Sequence, residues 1–332
     1  MTMQQEHPFA EIIRILGKGR NGSRGLTYDE AYRAMSMIMA EEVEPVQLGA
    51  FLMLMRVKEE SPEEVAAAVN AIKPTLTIPT DMPTVDIDWS SYAGKKRVLP
   101  WYLLATLLMA QNGLKIFMHG ASGHTAGRIY TKNILPQLGL EPATSLDEAK
   151  TQLQQHNFSY IDLEHLSPKL HQIIEMRPLL GLRSPVHTIA RLLNPLDAET
   201  VMQGIFHPGY RPTHQEAGLK LNIPHLAVIK GEGGEIERNP DQPLLIQSVH
   251  NGTLSEEEWP AMFDKRHTRS DELIVDNMVQ LWRGELEDEY AEAATIGTVA
   301  VALYTLQRSA NREEAEATAQ QWWQQRDRER LF

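Results

Sequence analysis

The chain has 332 residues, a net charge of −12 and no cysteine. This length allows a sizeable core and suggests two domains. The lack of cysteine excludes disulfides, thiolate metal sites and cysteine nucleophiles. An excess of 44 acidic over 32 basic residues argues against a polyanion partner, because a uniformly acidic surface repels phosphate. The acidic residues are clustered, however, at Glu41–Glu44, Glu256–Glu258 and Glu285–Glu289, which leaves room for a separate basic surface.

The sequence offers no targeting or membrane signal. Residues Met1–Glu11 lack a basic stretch followed by an apolar core, so no secretory signal is predicted. The most apolar run, Val98–Ala110, is too short to span a bilayer and is predicted to be a buried helix. A cytoplasmic location is therefore expected.

Helical signals dominate the first part of the chain. In a capping box, a Ser or Thr side chain accepts from the third following residue, whose Glu reaches back. Four such boxes are Thr27–Glu30, Ser61–Glu64, Ser145–Glu148 and Ser255–Glu258. Apolar residues recur at helical spacing after the first two boxes and after Pro45. Residues 1–75 are therefore predicted to form a helical domain.

The pattern changes after the proline-rich linker Lys73–Pro83. Short apolar runs then alternate with helical stretches, at Leu114–Met118, Phe158–Ile161, Leu226–Ile229 and Leu244–Ile246. This alternation predicts an α/β domain with a mainly parallel central sheet, over residues 76–166 and 194–332. The segment 167–193 is predicted to return to the helical domain, and the tail from Ser270 onward to be helical.

A basic segment follows the first predicted strand. The stretch Asp86–Arg97 runs from that strand into a helix predicted to start near Val98. Lys95, Lys96 and Arg97 would then lie at a helix N-terminus, where free N–H groups and the helix dipole favour anions. The alternative is an ordinary solvated charge run. Because sites in α/β folds lie at the carboxyl ends of strands, the two interpretations are about even.

Further bases lie downstream, while the histidines do not suggest a metal site. His119 and His124 are five residues apart and have no cysteine partner, so structural roles and no metal are expected. The bases are Arg128 and Lys132 after the His119-Gly120 turn, Arg177, Arg183 and Arg191 around Gly181, and then Lys230 and Arg238.

These stretches resemble the anthranilate phosphoribosyltransferase family, glycosyltransferase family 3. Leu26–Met35 and Pro45–Lys58 resemble its helical domain, and His119-Gly120 lies where the family has Lys-His-Gly-Asn. Met176-Arg177 and Leu180–Arg183 resemble its Val-Arg and Leu-Gly-x-Arg-Thr. The resemblance implies a small all-helical domain plus a larger α/β domain with a mainly parallel sheet, the fold shared with pyrimidine nucleoside phosphorylases.

Several positions depart from the family pattern. The family's Gly-Thr-Gly-Gly-Asp loop, which binds the diphosphate, corresponds to Ser90–Arg97 with a single glycine. The family's magnesium-binding Asp-Glu pair falls near Gly233–Glu237, with Ile236 at the aspartate position. The departures resemble a divergent bacterial branch, the YbiB-like proteins, which share Arg183–Thr188, His207–Tyr210 and Gly231–Glu235.

That branch implies a homodimer that binds single- and double-stranded DNA, and RNA, without sequence preference in an electropositive groove. The preferred hypothesis is therefore a non-catalytic nucleic-acid-binding protein, dimeric through its helical domain and without a cofactor. Lys95, Lys96 and Arg97 would form the floor of the groove. The other candidate anion-binding residues are His119, Gly120, Arg128, Lys132, Arg177, Arg183, His187, Arg191 and Lys230.

Two alternatives stay open. The chain could be a phosphoribosyltransferase that binds Mg²⁺ through Glu235 and Glu237, and Arg177 matches the family arginine that contacts anthranilate. It could also be a purely structural scaffold. Trp89 and Tyr92 could stack on bases beside the basic segment or belong to the core, and the core is favoured for Trp89.

Overall fold

The computed structural model describes residues 6–123, 125–268 and 273–331. The helices are α1 (Ala10–Gly17), α2 (Tyr28–Met39), α3 (Pro45–Lys58), α4 (Pro62–Ile72), α5 (Tyr102–Gln111), α6 (Thr131–Ile134), α7 (Leu146–His156), α8 (Leu163–Leu166), α9 (Pro168–Glu175), α10 (Arg177–Leu180), α11 (Val186–Ile189), α12 (Arg211–Lys220), α13 (Asp276–Arg283), α14 (Glu289–Thr305) and α15 (Arg312–Gln325). The strands are β1 (Ile87–Ser91), β2 (Ile116–Gly120), β3 (Phe158–Asp162), β4 (Thr200–Ile205), β5 (His225–Lys230), β6 (Leu244–His250) and β7 (Thr253–Trp259). Short 3₁₀ turns occupy Lys73–Thr75, Leu135–Leu138, Ala190–Leu192, Pro208–Tyr210 and Glu232–Gly234.

The chain divides into two compact units. The helical unit comprises Met1–Thr77 and Ser167–Leu193, and the α/β unit comprises Ile78–Leu166 and Asn194–Phe332. Over the ranges that the structure describes, no helix is both long and apolar enough to cross a membrane.

Capping side chains fix the helix starts of the helical unit. The amide of Glu30 donates to Thr27 Oγ1 at 3.3 Å, and that of Glu64 donates to Ser61 Oγ at 3.2 Å. The Glu64 carboxylate is buried and also accepts from the amide of Leu26 at 2.7 Å. The cap of α4 therefore also holds the chain entering α2.

A seven-stranded sheet forms the centre of the α/β unit, in the order β3-β2-β1-β4-β5-β6-β7. Strands β1 to β5 pair in parallel, and β6 and β7 complete the sheet in antiparallel pairs. The helices α5 and α14 are buried along nearly their whole length and supply much of the core. The predicted fold class, a small helical domain plus a larger α/β domain with a mainly parallel sheet, is confirmed.

The capping box predicted at Ser255–Glu258 is wrong, because these residues lie in β7. β7 pairs along its full length with β6. The two strands are joined at Asn251 and Gly252, whose φ angles are +47° and +81°. An Asn-Gly pair between two strands is a strong hairpin signal, and here tertiary pairing overrides the local helix signal.

The helix after β1 begins at Tyr102 and not near Val98. The intervening chain is held by main-chain pairing, because Lys95 and Ile129 exchange two N–H···O bonds at 2.8 and 2.7 Å. Residues Lys95–Arg97 consequently lie in a loop, several residues before the helix N-terminus.

Candidate functional site

Four loops of the α/β unit follow parallel strands and therefore share one edge of the sheet. They comprise residues 92–101 after β1, 121–123 and 125–130 after β2, 206–210 after β4 and 231–238 after β5. Ligands of open α/β sheets bind at this edge. We call these segments the carboxyl-edge loops.

The loop after β1 directs two main-chain N–H groups at one of the protein's own carboxylates. The amides of Ala93 and Gly94 both donate to Glu235 Oε1 at 2.6 Å. Glu235 is fully buried. Successive amides that converge on one oxygen form the kind of concavity that binds anions. An internal carboxylate therefore fills this anion-binding position.

A second carboxylate occupies the start of α5. Glu237 Oε2 accepts from the amide of Tyr102 at 2.9 Å, where the helix dipole favours negative charge. Glu237 Oε1 lies 2.6 Å from Lys95 Nζ, and both side chains are buried. The structure thus places Lys95 in an internal ion pair, which corrects its predicted position on the floor of a binding groove. The Glu237 carboxylate neutralises the charge of the Lys95 ammonium.

Arg128 also contacts the protein's own main chain. Its Nη1 donates to the carbonyl oxygens of Ala93, Gly94 and Gly233, at 2.8, 3.0 and 3.1 Å. The guanidinium therefore joins the loop after β1 to the loop after β5. Arg128 was predicted to line the groove, but at least this part of its side chain stabilises the loops instead.

His119 and Gly120 are buried at the end of β2. His119 Nδ1 lies 2.8 Å from the Tyr92 hydroxyl, and its Nε2 lies 3.3 Å from Asp88 Oδ2. A Cβ at Gly120 would overlap the carbonyl oxygen of Ser91, so close strand packing requires glycine there. Both residues therefore have structural roles. This corrects the prediction that they bind a polyanion, because neither is exposed.

The aromatic residues beside the basic segment belong to the interior. Trp89, Tyr92 and Tyr102 are all fully buried, so Tyr92 cannot stack on a base as one interpretation allowed. Burial raises the pKa of the Tyr102 phenol well above its usual range, and the nearby Glu235 carboxylate raises it further. Tyr102 is therefore a neutral hydroxyl, and its oxygen lies 2.8 Å from Thr131 Oγ1.

Three of the predicted binding residues are exposed on these loops or at their margin. Lys96 and Arg97 follow the buried Lys95, and Lys230 ends β5. Lys132, at the start of α6, is about one-third exposed, with its ammonium 3.4 Å from Glu164 and 3.8 Å from Asp162. We call Lys96, Arg97 and Lys230 the outer bases.

An exposed aromatic residue follows β4 and was not among the predicted binding residues. Phe206 is 52% exposed, and its ring centre lies 4.9 Å from that of His207 in an edge-on arrangement. The Cβ of Phe206 would lie 3.2 Å from a Cβ at Gly234. The sequence signal was a large apolar residue directly after the end of a buried strand.

A cleft of about 290 Å³ lies beside the outer base Lys230. Arg211, at the start of α12, also lines it and approaches the Leu245 carbonyl with Nη1 at 3.4 Å. Glu258 from β7 supplies one negative charge to the same cleft. The cleft therefore extends the polar surface of the carboxyl-edge loops toward β6.

The remaining predicted bases belong to the helical unit. Arg177 begins α10, and Arg183 lies between α10 and α11, both half-buried. His187 and Arg191 are each only 8% exposed. His187 Nδ1 lies 3.2 Å from the carbonyl oxygen of Ser184. His187 and Arg191 therefore present little surface to a ligand, contrary to the groove-lining role predicted for Arg191 and the hydrogen-bond donor role predicted for His187.

The contacts of Glu235 and Glu237 do not fit the magnesium site of the alternative hypothesis. One oxygen of Glu235 already accepts from two amides, and Glu237 already contacts an ammonium and an amide. Of the four carboxylate oxygens, only Glu235 Oε2 accepts no hydrogen bond among the described residues, whereas Mg²⁺ needs near-octahedral oxygen coordination, and the Lys95 charge competes with a cation directly. Among the described side chains, no cluster of three or more His, Asp or Glu is placed to hold a metal.

Residues 10–73 match the helical bundle domain of the glycosyl transferase family. The anthranilate phosphoribosyltransferase of Oleidesulfovibrio alaskensis is 29% identical over 252 residues, which cover 75% of this chain and 74% of that protein. The uncharacterized protein YbiB of Escherichia coli is 25% identical over 275 residues, covering 80% and 82%. An uncharacterized protein of Aquifex aeolicus is 27% identical over 243 residues, covering 73% of each.

Solved structures agree with these relatives on the fold. The anthranilate phosphoribosyltransferase of Thermus thermophilus has a TM-score of 0.77 at 20% identity, covering 96% of this chain and 94% of that one. The Saccharomyces cerevisiae enzyme in complex with phosphoribosyl diphosphate and Mg has a TM-score of 0.78 at 16% identity, with the same coverage. The predicted resemblance to the anthranilate phosphoribosyltransferase family and to its YbiB-like branch is confirmed.

Proposed function

We propose that this chain binds nucleic acid without sequence preference at the carboxyl-edge loops, and that it does not transfer phosphoribosyl groups. We call the main-chain amides of Ala93, Gly94 and Tyr102 the inner amides. One observation carries the proposal: the inner amides and the Lys95 ammonium are already bound by Glu235 and Glu237, whereas the outer bases face solvent. A small diphosphate needs the inner amides. A phosphate backbone needs only exposed positive charge, because it is bound largely through counterion release.

The distribution of charge in the α/β unit supports this proposal despite the net charge of −12. Glu256 and Glu258 are exposed on β7, the strand at one end of the sheet. Lys96 and Arg97 follow β1, which lies four positions away in the strand order. Because exposed charges are screened beyond about 10 Å at 0.1 M salt, most of the acidic strand does not cancel this basic loop.

Phe206 adds a second means of recognition. An exposed aromatic ring can stack on any base, because every base has a π-face, and such stacking contributes about 1–3 kcal/mol per base. The ring follows β4, which lies between β1 and β5 in the sheet. The outer bases Lys96 and Arg97 follow β1, and the outer base Lys230 ends β5. Phosphate contacts combined with sequence-tolerant stacking are typical of single-strand binding.

The proposal includes dimerisation through the helical unit. Val46 and Val57, both on α3, are 79% and 82% exposed. Two largely exposed valines on one helix are consistent with a surface covered by a second copy. Light scattering after size-exclusion chromatography should give twice the mass of one chain, and a Val46→Glu/Val57→Glu variant should give the monomer mass. A wild-type monomer at micromolar concentration would refute this part.

The binding proposal is tested by fluorescence anisotropy of a labelled single-stranded oligonucleotide, repeated over a salt series. The logarithm of the association constant should fall linearly with the logarithm of salt concentration, by about 0.7 per phosphate neutralised. Oligonucleotides of different sequence should bind with similar affinity. Absence of binding at low salt would show that the acidic surface dominates and would refute the proposal.

Phosphoribosyl transfer is the second candidate. It is favoured by the relatives named as anthranilate phosphoribosyltransferases and by Arg177, at the position of the family's anthranilate-contacting arginine. The contacts of Glu235 and Glu237 argue against it. Turnover of phosphoribosyl diphosphate with anthranilate and Mg²⁺ would establish this second candidate, whereas we expect none.

A further inference from the structure

Two internal carboxylates occupy positions that favour anions. Glu235 accepts from the consecutive amides of the loop after β1, and Glu237 accepts from the first amide of α5 and from Lys95. Backbone concavities and helix N-termini are both suited to phosphate groups. In this chain the concavity of the loop after β1 and the N-terminus of α5 are both occupied by side chains that are only two residues apart in the sequence. We call Gly231–Glu237 the occluding segment.

The path of the main chain holds the occluding segment in place. A Cβ at Gly231 would overlap the carbonyl oxygen of Glu235, and a Cβ at Gly204 in β4 would lie 2.5 Å from it. Only glycine allows these approaches, which turn the chain back tightly after β5. The carboxylate of Glu235 is thereby directed toward the loop after β1.

The residue that follows the occluding segment anchors it to the core. Arg238 is fully buried, and its amide donates to Thr298 Oγ1 at 3.0 Å. Its guanidinium donates to Glu316 at 2.7 Å and to the Pro260 carbonyl at 3.0 Å. The segment is therefore fixed from its C-terminal side by a charge-assisted network, and its carboxylates need no ordering when they meet the amides.

The two oxygens of the Glu235 carboxylate differ in their contacts, because only Oε1 accepts hydrogen bonds. No group in the described residues donates to Glu235 Oε2, although this atom is buried. A buried acceptor without a partner is unfavourable by about 1–3 kcal/mol. Oε1 offsets part of this cost, because it accepts from two main-chain amides at once.

We infer that the occluding segment is a permanent internal substitute for a diphosphate, so that this chain excludes diphosphate from its own carboxyl-edge loops. Glu235 takes the place of one phosphate group and Glu237 that of the other. The consequence is a competition: removing the Glu235 carboxylate should expose the amides of Ala93 and Gly94 to an added anion.

The test is titration of the full chain with sodium diphosphate, with and without Mg²⁺, followed by calorimetry and melting temperature. The wild-type protein should show no measurable binding and no rise in melting temperature. Glu235→Ala should bind diphosphate at least about tenfold more tightly than the weakest binding the titration detects and should melt higher in its presence, since native-state ligands stabilise by mass action. The exposed Glu141→Ala removes the same charge and should behave as the wild type.

Glu235→Gln provides the matched intermediate, because its amide oxygen can still accept from both loop amides. It should gain less diphosphate affinity than Glu235→Ala. A folded Glu235→Ala protein that gains none would overturn the inference.

If Glu235→Ala does not fold, hydrogen exchange of the wild-type protein still tests the inference. Hydrogen exchange at Ala93, Gly94 and Tyr102 should be slow without ligand and unchanged by diphosphate. A rise in wild-type melting temperature together with added protection of these amides would overturn the inference. Oligonucleotide anisotropy on the same samples reports nucleic-acid binding separately, so failure of one idea is distinguishable from failure of the other.

Discussion

The inner and outer parts of the carboxyl-edge loops differ sharply, although consecutive residues of the chain supply both. Lys95 is buried against Glu237, while Lys96 and Arg97 face solvent. The inner cations contact groups of the same chain: Lys95 pairs with Glu237, and Arg128 donates to three carbonyl oxygens. The run of three bases is therefore divided: Lys95 holds the loops together, whereas Lys96 and Arg97 lie at the surface.

The largest expected effect is the loss of the inner ion pair. Lys95→Met leaves the Glu237 carboxylate buried without its cation, and such a removal destabilises by about 3–5 kcal/mol. Urea unfolding should therefore show a much lower free energy of unfolding. Lys96→Met, one residue further on the exposed side, should change it by no more than about 0.5 kcal/mol. Equal effects of the two substitutions would remove the distinction between inner and outer bases.

The next effect concerns the arginine that joins two loops. Arg128→Met removes the charged donor that three carbonyl oxygens share, so a loss of about 1.5–3 kcal/mol is expected, as for hydrogen bonds to charged groups. Hydrogen exchange should accelerate at residues 93–95 and 231–234. Arg97→Met is the exposed control and should leave exchange unchanged. Unaltered exchange in Arg128→Met would mean that the contact does not stabilise these loops.

A smaller effect is expected at the outer surface, on binding and not on folding. Phe206→Ala should weaken binding of a single-stranded oligonucleotide by about 1–3 kcal/mol, the contribution of one stacked base, with little change in unfolding free energy. Leu254→Ala, an exposed apolar position on β7, is the control. Equal losses for the two variants would exclude stacking at Phe206.

The fold was more predictable from the sequence than the site. Apolar periodicity and the capping boxes at Thr27 and Ser61 are local signals, and the structure confirms them. At Ser145 only the hydroxyl half of the predicted box forms, because Glu148 accepts from the amide of Thr144 instead of that of Ser145. The signal at Ser255 failed because pairing with β6 decided the structure there. The partner of Lys95 could not be predicted, because Glu237 lies 142 residues further along the chain. In a loop without periodicity, nothing local separates the buried Lys95 from the exposed Lys96.

The central claim is that the outer bases, and not the inner ones, bind nucleic acid. It is tested most directly by the salt dependence of oligonucleotide binding for a Lys96→Ala/Arg97→Ala variant. Lys220→Ala/Arg283→Ala removes two exposed charges at the ends of α12 and α13 and serves as the control. The first variant should bind more weakly to every sequence, with a log–log slope shallower by about 1.4, or 0.7 for each lost phosphate contact. The control should keep the wild-type slope. An unchanged slope in the first variant, or the same change in both, would contradict the claim.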